Sequence, residues 1–258
     1  MTYFEKFAGI KRLYGNAGLM QFKQSHILVV GIGGVGSWIA ESLARSGIGE
    51  LTLIDLDDLA ISNINRQIHA LDSTLEQSKT EVMQKRILDI NHECKVNEIE
   101  DFVTPENVKD YIGFQHDVVI DATDSVKAKA ALIAHCKRNK IKVISIGGAG
   151  GQTDPLQIRR ADLAKTIQDP LLAKVRSELR RYYHFSKNTK RNFGVECIYS
   201  CEQLKYPTPD GKVSFAKQAS EGASKMDCST GFGAFVGVTA TFGMVATSRA
   251  LSYLINKL

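Results

Sequence analysis

The chain has 258 residues, with 43% hydrophobic and 24% charged side chains and a formal net charge of +5. That balance excludes a disordered chain and fits a globular protein long enough to bury a full core. Glu5, Lys6, Lys11 and Arg12 interrupt the first 22 residues, so no signal peptide is read there. Five cysteines without regular spacing argue for reduced thiols and a cytoplasmic setting.

Residues 1–24 read as a helical arm, with Phe4, Phe7, Leu13, Leu19, Met20 and Phe22 as its apolar positions. From residue 25 the pattern alternates. Apolar β-branched runs at 26–31, 51–55, 95–100, 117–121 and 142–147 predict strands, and helical patterns fall near 35–47, 76–91, 105–112 and 125–139. Strand–helix–strand alternation means parallel strands with crossover helices. The expected core over 25–150 is therefore a Rossmann-like, doubly wound, mostly parallel α/β sheet. A glycine run at 147–151 marks a break. Beyond it come a helix near 169–183, a polar loop, a strand over 195–200 and a turn at 206–211, with 151–258 read as a C-terminal part of the same domain. Residues 231–248 carry no charge, a length at which a membrane span is a marginal alternative. Glycine, alanine and threonine dominate that segment, which favours a helix packed inside the protein or at a dimer interface.

The first strand runs into Gly31, Gly33, Gly34 and Gly36, with a helix expected from Val35. Glycines there let backbone N–H groups approach phosphate oxygens, and the helix N-terminus adds favourable partial charge. Asp55 ends the second strand and suits the ribose hydroxyls, with Asp57 beside it. To this point NAD fits as well as ATP. The discriminating residues are Asn63, Arg66 and Lys79, cationic or polar groups suited to the larger charge of a triphosphate and its departing pyrophosphate. Asp124, just past the end of the fourth strand and three residues after Asp121, is the carboxylate expected to hold Mg²⁺. Singly, Arg66 and Lys79 are ordinary surface charges; together in this order they specify a nucleotide site.

Charge is uneven along the chain. From 159 to 191 there are ten Lys or Arg against three Asp or Glu. Lys174, Arg176, Arg180, Arg181, Lys187, Lys190 and Arg191 are interleaved with Tyr182, Tyr183, His184 and Phe185. The run reads either as a solvated helix and loop or as a surface for an RNA backbone with aromatics available for stacking.

These motifs resemble the adenylation fold of the E1-like (ThiF/MoeB-type) superfamily: the glycine turn, Asp55, Asn63 to Gln67, Lys79, and Asp121 with Asp124. The resemblance implies activation of a carboxylate by ATP as an acyl-adenylate. Arg12 matches the N-terminal arginine that in this family reaches across a homodimer to the partner's ATP. Members that activate sulfur carriers commonly hold zinc with two Cys-x-x-Cys pairs. Here Cys197 and Cys201 are spaced differently and no second pair exists, so no zinc is expected. The segments at 12–15, 147–152, 162–170 and 226–233 resemble the branch that dehydrates threonylcarbamoyladenosine at position 37 of tRNA. That branch implies tRNA as substrate, 174–191 as its contact, and a link to a cysteine desulfurase and its sulfur-acceptor protein. Cys228 is either a catalytic thiol or a small buried side chain. Two alternatives are an adenylating enzyme for a ubiquitin-like sulfur carrier and an NAD-binding dehydrogenase or binding module.

Overall fold

The arm forms two helices, α1 (Tyr3–Lys6) and α2 (Ala8–Gln24), in the computed structural model, which describes residues 2–216 and 232–258. Gly15 breaks the helical path inside α2 with φ +76°. The alternating core follows as β1 (His26–Val30), α3 (Gly36–Arg45), β2 (Glu50–Ile54), α4 (Lys79–Ile90) and β3 (Lys95–Ile99). Next come α5 (Val108–Tyr111), β4 (Val118–Asp121), α6 (Val126–Arg138) and β5 (Val143–Ile146). The last part supplies β6 (Ile158–Asp162), α7 (Pro170–Tyr182), β7 (Glu196–Ser200), a small hairpin of β8 (Tyr206–Pro207) and β9 (Val213–Ser214), and α8 (Val236–Ile255).

Seven strands form one sheet in the order β3-β2-β1-β4-β5-β7-β6, parallel except for β6 against β7. Alternate residues of each strand face opposite sides. Ile27 and Val29 of β1 enter a core roofed by α3, α4 and α8, while Leu28 and Val30 enter one roofed by α6 and α7. The order in which strands are added reverses between the parallel neighbours β1 and β4, so their carboxyl ends border the crevice where ligands of such sheets bind.

β6 is absent from the sequence expectation. It is an edge strand with Arg159 and Arg160 exposed, so it lacks the apolar run of a central strand. The uncharged segment, where described, enters α8. Val238, Phe242, Ala246, Ala250 and Leu254 recur every four residues as its buried stripe, and Gly243 lies against Trp38 of α3. Among the described residues no helix is long and apolar enough to cross a membrane.

Candidate functional site

The phosphate turn is built by crowding. Gly31 has φ +86°, and a Cβ there would lie 3.0 Å from the Ala122 carbonyl oxygen at the end of β4. At Gly36 a Cβ would fall 1.7 Å from the Gly31 carbonyl oxygen, so no side chain fits where the turn folds back into α3. The resulting cradle presents backbone N–H groups and the start of α3 to the carboxyl edge. Gly34 lies under the aliphatic stem of Arg66, whose carbons sit 3.2 Å from where its Cβ would be.

Asp55 is buried just past β2. Its Oδ2 accepts from the Ile32 N–H at 2.6 Å and its Oδ1 from the Asp57 N–H at 2.9 Å. The carboxylate thereby joins the second strand end to the glycine turn. Burial raises the Asp55 pKa, opposed first by the Lys79 charge. Lys79 opens α4 and is itself buried, its Nζ 2.7 Å from Asp57 Oδ2 and 3.9 Å from Asp55 Oδ1. Asp57 remains more than half exposed, so it can release Lys79 to a ligand more readily than Asp55 can.

Asn63 closes the short turn Ile61–Asn63 through its Oδ1, which accepts from the Ala60 N–H at 3.1 Å. Arg66 Nη1 donates to the Ser62 carbonyl at 2.6 Å and to Asn65 Oδ1 at 3.0 Å, while its own carbonyl accepts from Trp38 Nε1 at 2.9 Å. Gln67, the last residue of the motif that begins at Asn63, is buried next door, as is His69, which sequence reasoning missed. Gln67 Oε1 and both His69 ring nitrogens lack hydrogen-bond partners among the described residues. Burial, and then the charges of Lys79 and Arg86, push the His69 pKa down to about 3. A neutral imidazole therefore borders the Lys79 ammonium.

Asp124 is exposed at the carboxyl edge beyond β4. Among the described residues no cluster of three His, Cys, Asp or Glu could cage a metal ion. Mg²⁺ does not need such a cage: it keeps waters and binds through one or two carboxylates plus substrate phosphates. An exposed Asp124 beside the phosphate turn fits that donor set.

Arg12 stands exposed on α2, beside an open depression shared with Phe4, Lys11 and Asn16. The arm's anchors lie at the other, amino edge of the sheet. The Tyr3 hydroxyl donates to the Gly47 carbonyl, and Lys6 to the Ile90 carbonyl. Cys228 lies outside the described residues.

The basic run divides. Arg176 donates to Thr166 Oγ1 and so braces the segment before α7, while Arg180 Nε donates to the Ser186 carbonyl and lies over the Phe193 ring, bracing the loop after it. Phe185 packs edge-on against Phe193 and so is not a free stacking platform. Lys174, Arg181, Tyr182, Lys187, Lys190 and Arg191 are exposed. The helix starts at the carboxyl edge, where Asp169 caps it and also accepts from the Gly148 N–H. It ends at the amino edge, where Arg138 lies over Tyr183 and Lys137 donates to the Gly194 carbonyl. Thirteen residues of helix separate the two edges by roughly 20 Å. The expected RNA contacts at 180–191 thus lie at the far edge from the phosphate turn.

Residues 7–257 match the sequence profile of the ThiF family. The tRNA threonylcarbamoyladenosine dehydratase of Haemophilus influenzae is 56% identical over 99% of this chain and 95% of that protein. The crystal structure of the Escherichia coli tRNA N6-threonylcarbamoyladenosine dehydratase in complex with ATP aligns with a TM-score of 0.87 at 50% identity, covering 98% of this chain and 95% of that one. The Escherichia coli sulfur carrier protein ThiS adenylyltransferase is 32% identical, over 52% of this chain and 54% of that protein.

Proposed function

We propose, on the premise that this chain belongs to the ThiF family, that it is an ATP-dependent tRNA threonylcarbamoyladenosine dehydratase acting through carboxylate adenylation. The observation that carries this is identity of more than half, sustained through nearly the whole length of a tRNA threonylcarbamoyladenosine dehydratase. Similarity to a sulfur-carrier adenylyltransferase stops at about half of either chain. The full-length match therefore favours the tRNA substrate.

The chemistry follows from the substrate. A carboxylate is a poor electrophile. The threonyl carboxylate of the modified adenosine at position 37 attacks the α-phosphorus of ATP, and pyrophosphate leaves. The ureido nitrogen of the same nucleoside then attacks the activated carbonyl, losing its proton, and AMP departs with one of the original carboxylate oxygens. The net change in the nucleoside is loss of water.

The chain's residues have distinct parts in this reading. Gly31, Gly33, Gly34 and Gly36 admit the phosphates to backbone N–H groups. Asp55 holds the ribose while bracing the turn through Ile32. Asn63, Arg66 and Lys79 face the triphosphate, and Lys79 changes partner from Asp57 to phosphate as charge grows on the leaving group. Asp124 would hold Mg²⁺, which supplies further positive charge to the triphosphate when bound. In a homodimer the partner's Arg12 would complete each site, and the exposed basic residues would hold tRNA in the cytoplasm. The link to a cysteine desulfurase and its sulfur acceptor belongs with the same reading.

The test is mass spectrometry of nucleosides from tRNA carrying threonylcarbamoyladenosine, after incubation with the protein, ATP and Mg²⁺. The expected product is lighter by the mass of one water, with AMP formed in equal amount. ATP cleavage that instead needs a small protein ending in Gly-Gly would overturn the proposal.

A further inference from the structure

Asp121 and Lys129 form an ion pair in which both side chains are wholly inaccessible to solvent, directly beneath the turn that carries Asp124. Lys129 Nζ donates to Asp121 Oδ2 at 2.8 Å and to the Asp121 carbonyl at 3.2 Å. Ser145 Oγ of β5 donates to the same Oδ2 at 2.8 Å. The other oxygen, Oδ1, accepts from Thr123 Oγ1 at 2.7 Å and from the Thr123 N–H at 3.2 Å. One carboxylate thus binds β4, β5, α6 and the outgoing turn together. On the far side of Asp124, Ser125 caps α6 by accepting from the Ala128 N–H at 3.5 Å, and its carbonyl accepts from the Lys129 N–H at 2.9 Å. Asp124 is the single residue between two fixed points.

Fold stability does not call for this arrangement. Lys129 sits on the helix face of Leu132 and Ile133, where an apolar side chain would be expected. A buried ion pair is often no more stabilising than apolar residues of the same volume. What the pair adds is directional: five hydrogen bonds to one carboxyl-bearing residue at the root of the turn. Being neutral overall, it also adds no net charge beneath a triphosphate.

We propose that Asp121, Lys129, Ser145 and Thr123 are positioning residues that fix the carboxylate of Asp124, an inference that rests on the reading of Asp124 above. Asp124 has no hydrogen-bond partner of its own among the described residues, so its place is set by its backbone alone. An error of about 1 Å in a reacting geometry can lower rate by about a hundredfold.

Asp121→Asn and Lys129→Met leave a charge buried and unpaired, so they risk unfolding. Thr123→Val removes only the hydroxyl bond to Oδ1 and leaves the ion pair intact. The measurements are calorimetric ATP affinity with and without Mg²⁺, in the absence of tRNA, and AMP-forming turnover. Asp124→Asn should abolish the gain in ATP affinity that Mg²⁺ gives. Thr123→Val should cut that gain and the turnover by roughly 3- to 10-fold, a loss equivalent to about one hydrogen bond. Thr123→Ser should restore both. On the Asp124→Asn background Thr123→Val should change neither, because coupled residues are non-additive.

An undiminished effect of Thr123→Val on that background, or no effect of Thr123→Val on the intact protein, overturns the positioning role and leaves Asp124 standing. An Mg²⁺ gain that survives Asp124→Asn overturns the reading of Asp124, and the positioning role falls with it.

Discussion

Lys79→Met removes one buried charge and keeps most of the side-chain volume. Two effects follow, and they separate experimentally. The first concerns the reaction. A fixed donor aimed at charge that grows on the leaving pyrophosphate contributes on the order of 2–4 kcal/mol. At about 1.4 kcal/mol per tenfold, turnover should fall roughly 30- to 1,000-fold with ATP saturating. The second concerns the resting protein. Asp55 is buried and its pKa is already raised by desolvation, with Lys79 at 3.9 Å as the main opposing influence. Without Lys79 the Asp55 pKa rises further.

The sign of the stability change follows from proton linkage. A carboxyl whose folded pKa lies above its unfolded value costs stability at neutral pH, and that cost fades as pH falls through the folded value. The variant should therefore lose more stability near neutral pH than in mild acid, in urea unfolding run at both. AMP release per tRNA measures the first effect. Turnover within about threefold of the parent protein would refute the role of Lys79 in charge stabilisation. An equal stability loss at the two pH values would refute the coupling to Asp55.

Three further outcomes are expected. His69 stays neutral in the fold to about pH 3 because of burial, while an unfolded histidine takes up a proton below about 6.5. Its presence should thus cost about 1.4 kcal/mol per pH unit as pH drops below about 6.5; His69→Phe should flatten the acid limb of the stability curve, and an unchanged limb would refute the assignment. Mixed dimers of Arg12→Ala and Lys79→Ala subunits should regain part of the activity, because one of the two hybrid sites is whole; stable mixed dimers with none would exclude a trans role for Arg12. Neutralising Lys187, Lys190 and Arg191 together should weaken tRNA binding and flatten its salt dependence by roughly 0.7–0.9 in log–log slope for each phosphate that is no longer neutralised. Arg176→Ala and Arg180→Ala should instead lower the unfolding midpoint, since the first ties α7 to the segment before it and the second to the loop after it.

The parts of the site legible in the sequence are those whose chemistry is local. Gly31 to Gly36 and Asp55 can be read because a glycine turn and the acidic residue that ends the next strand follow a fixed strand–turn–helix–strand spacing. The strands of the core are legible for a similar reason: buried parallel strands are continuous apolar runs, and their ends fall within one residue of expectation. β6 is not legible because one face of an edge strand meets water. Ser145 and His69 owe their places to neighbours distant in sequence, and no spacing announces them. Lys129 is intermediate. A lysine on the apolar face of a helix that also carries Leu132 and Ile133 is a signal in the sequence, though its partner Asp121 becomes evident only when β4 and α6 are folded together.

The basic run shows a different limit. Composition reveals that 159–191 is positive, but not which edge of the sheet receives the charge. That is decided by one carboxylate. Asp169 caps α7 and accepts from the Gly148 N–H, which pins the helix start to the carboxyl edge and sends Arg181 and the loop after it to the amino edge. The intervening helix, roughly 20 Å long, spans more than two Debye lengths at physiological ionic strength, about 8 Å each. Charges at the two edges therefore act almost independently through solvent. Neutralising Lys187, Lys190 and Arg191 should leave ATP affinity unchanged, and Lys79→Met should leave the salt dependence of tRNA binding unchanged. A protein that gathered both functions into one electropositive cleft would show both quantities moving together.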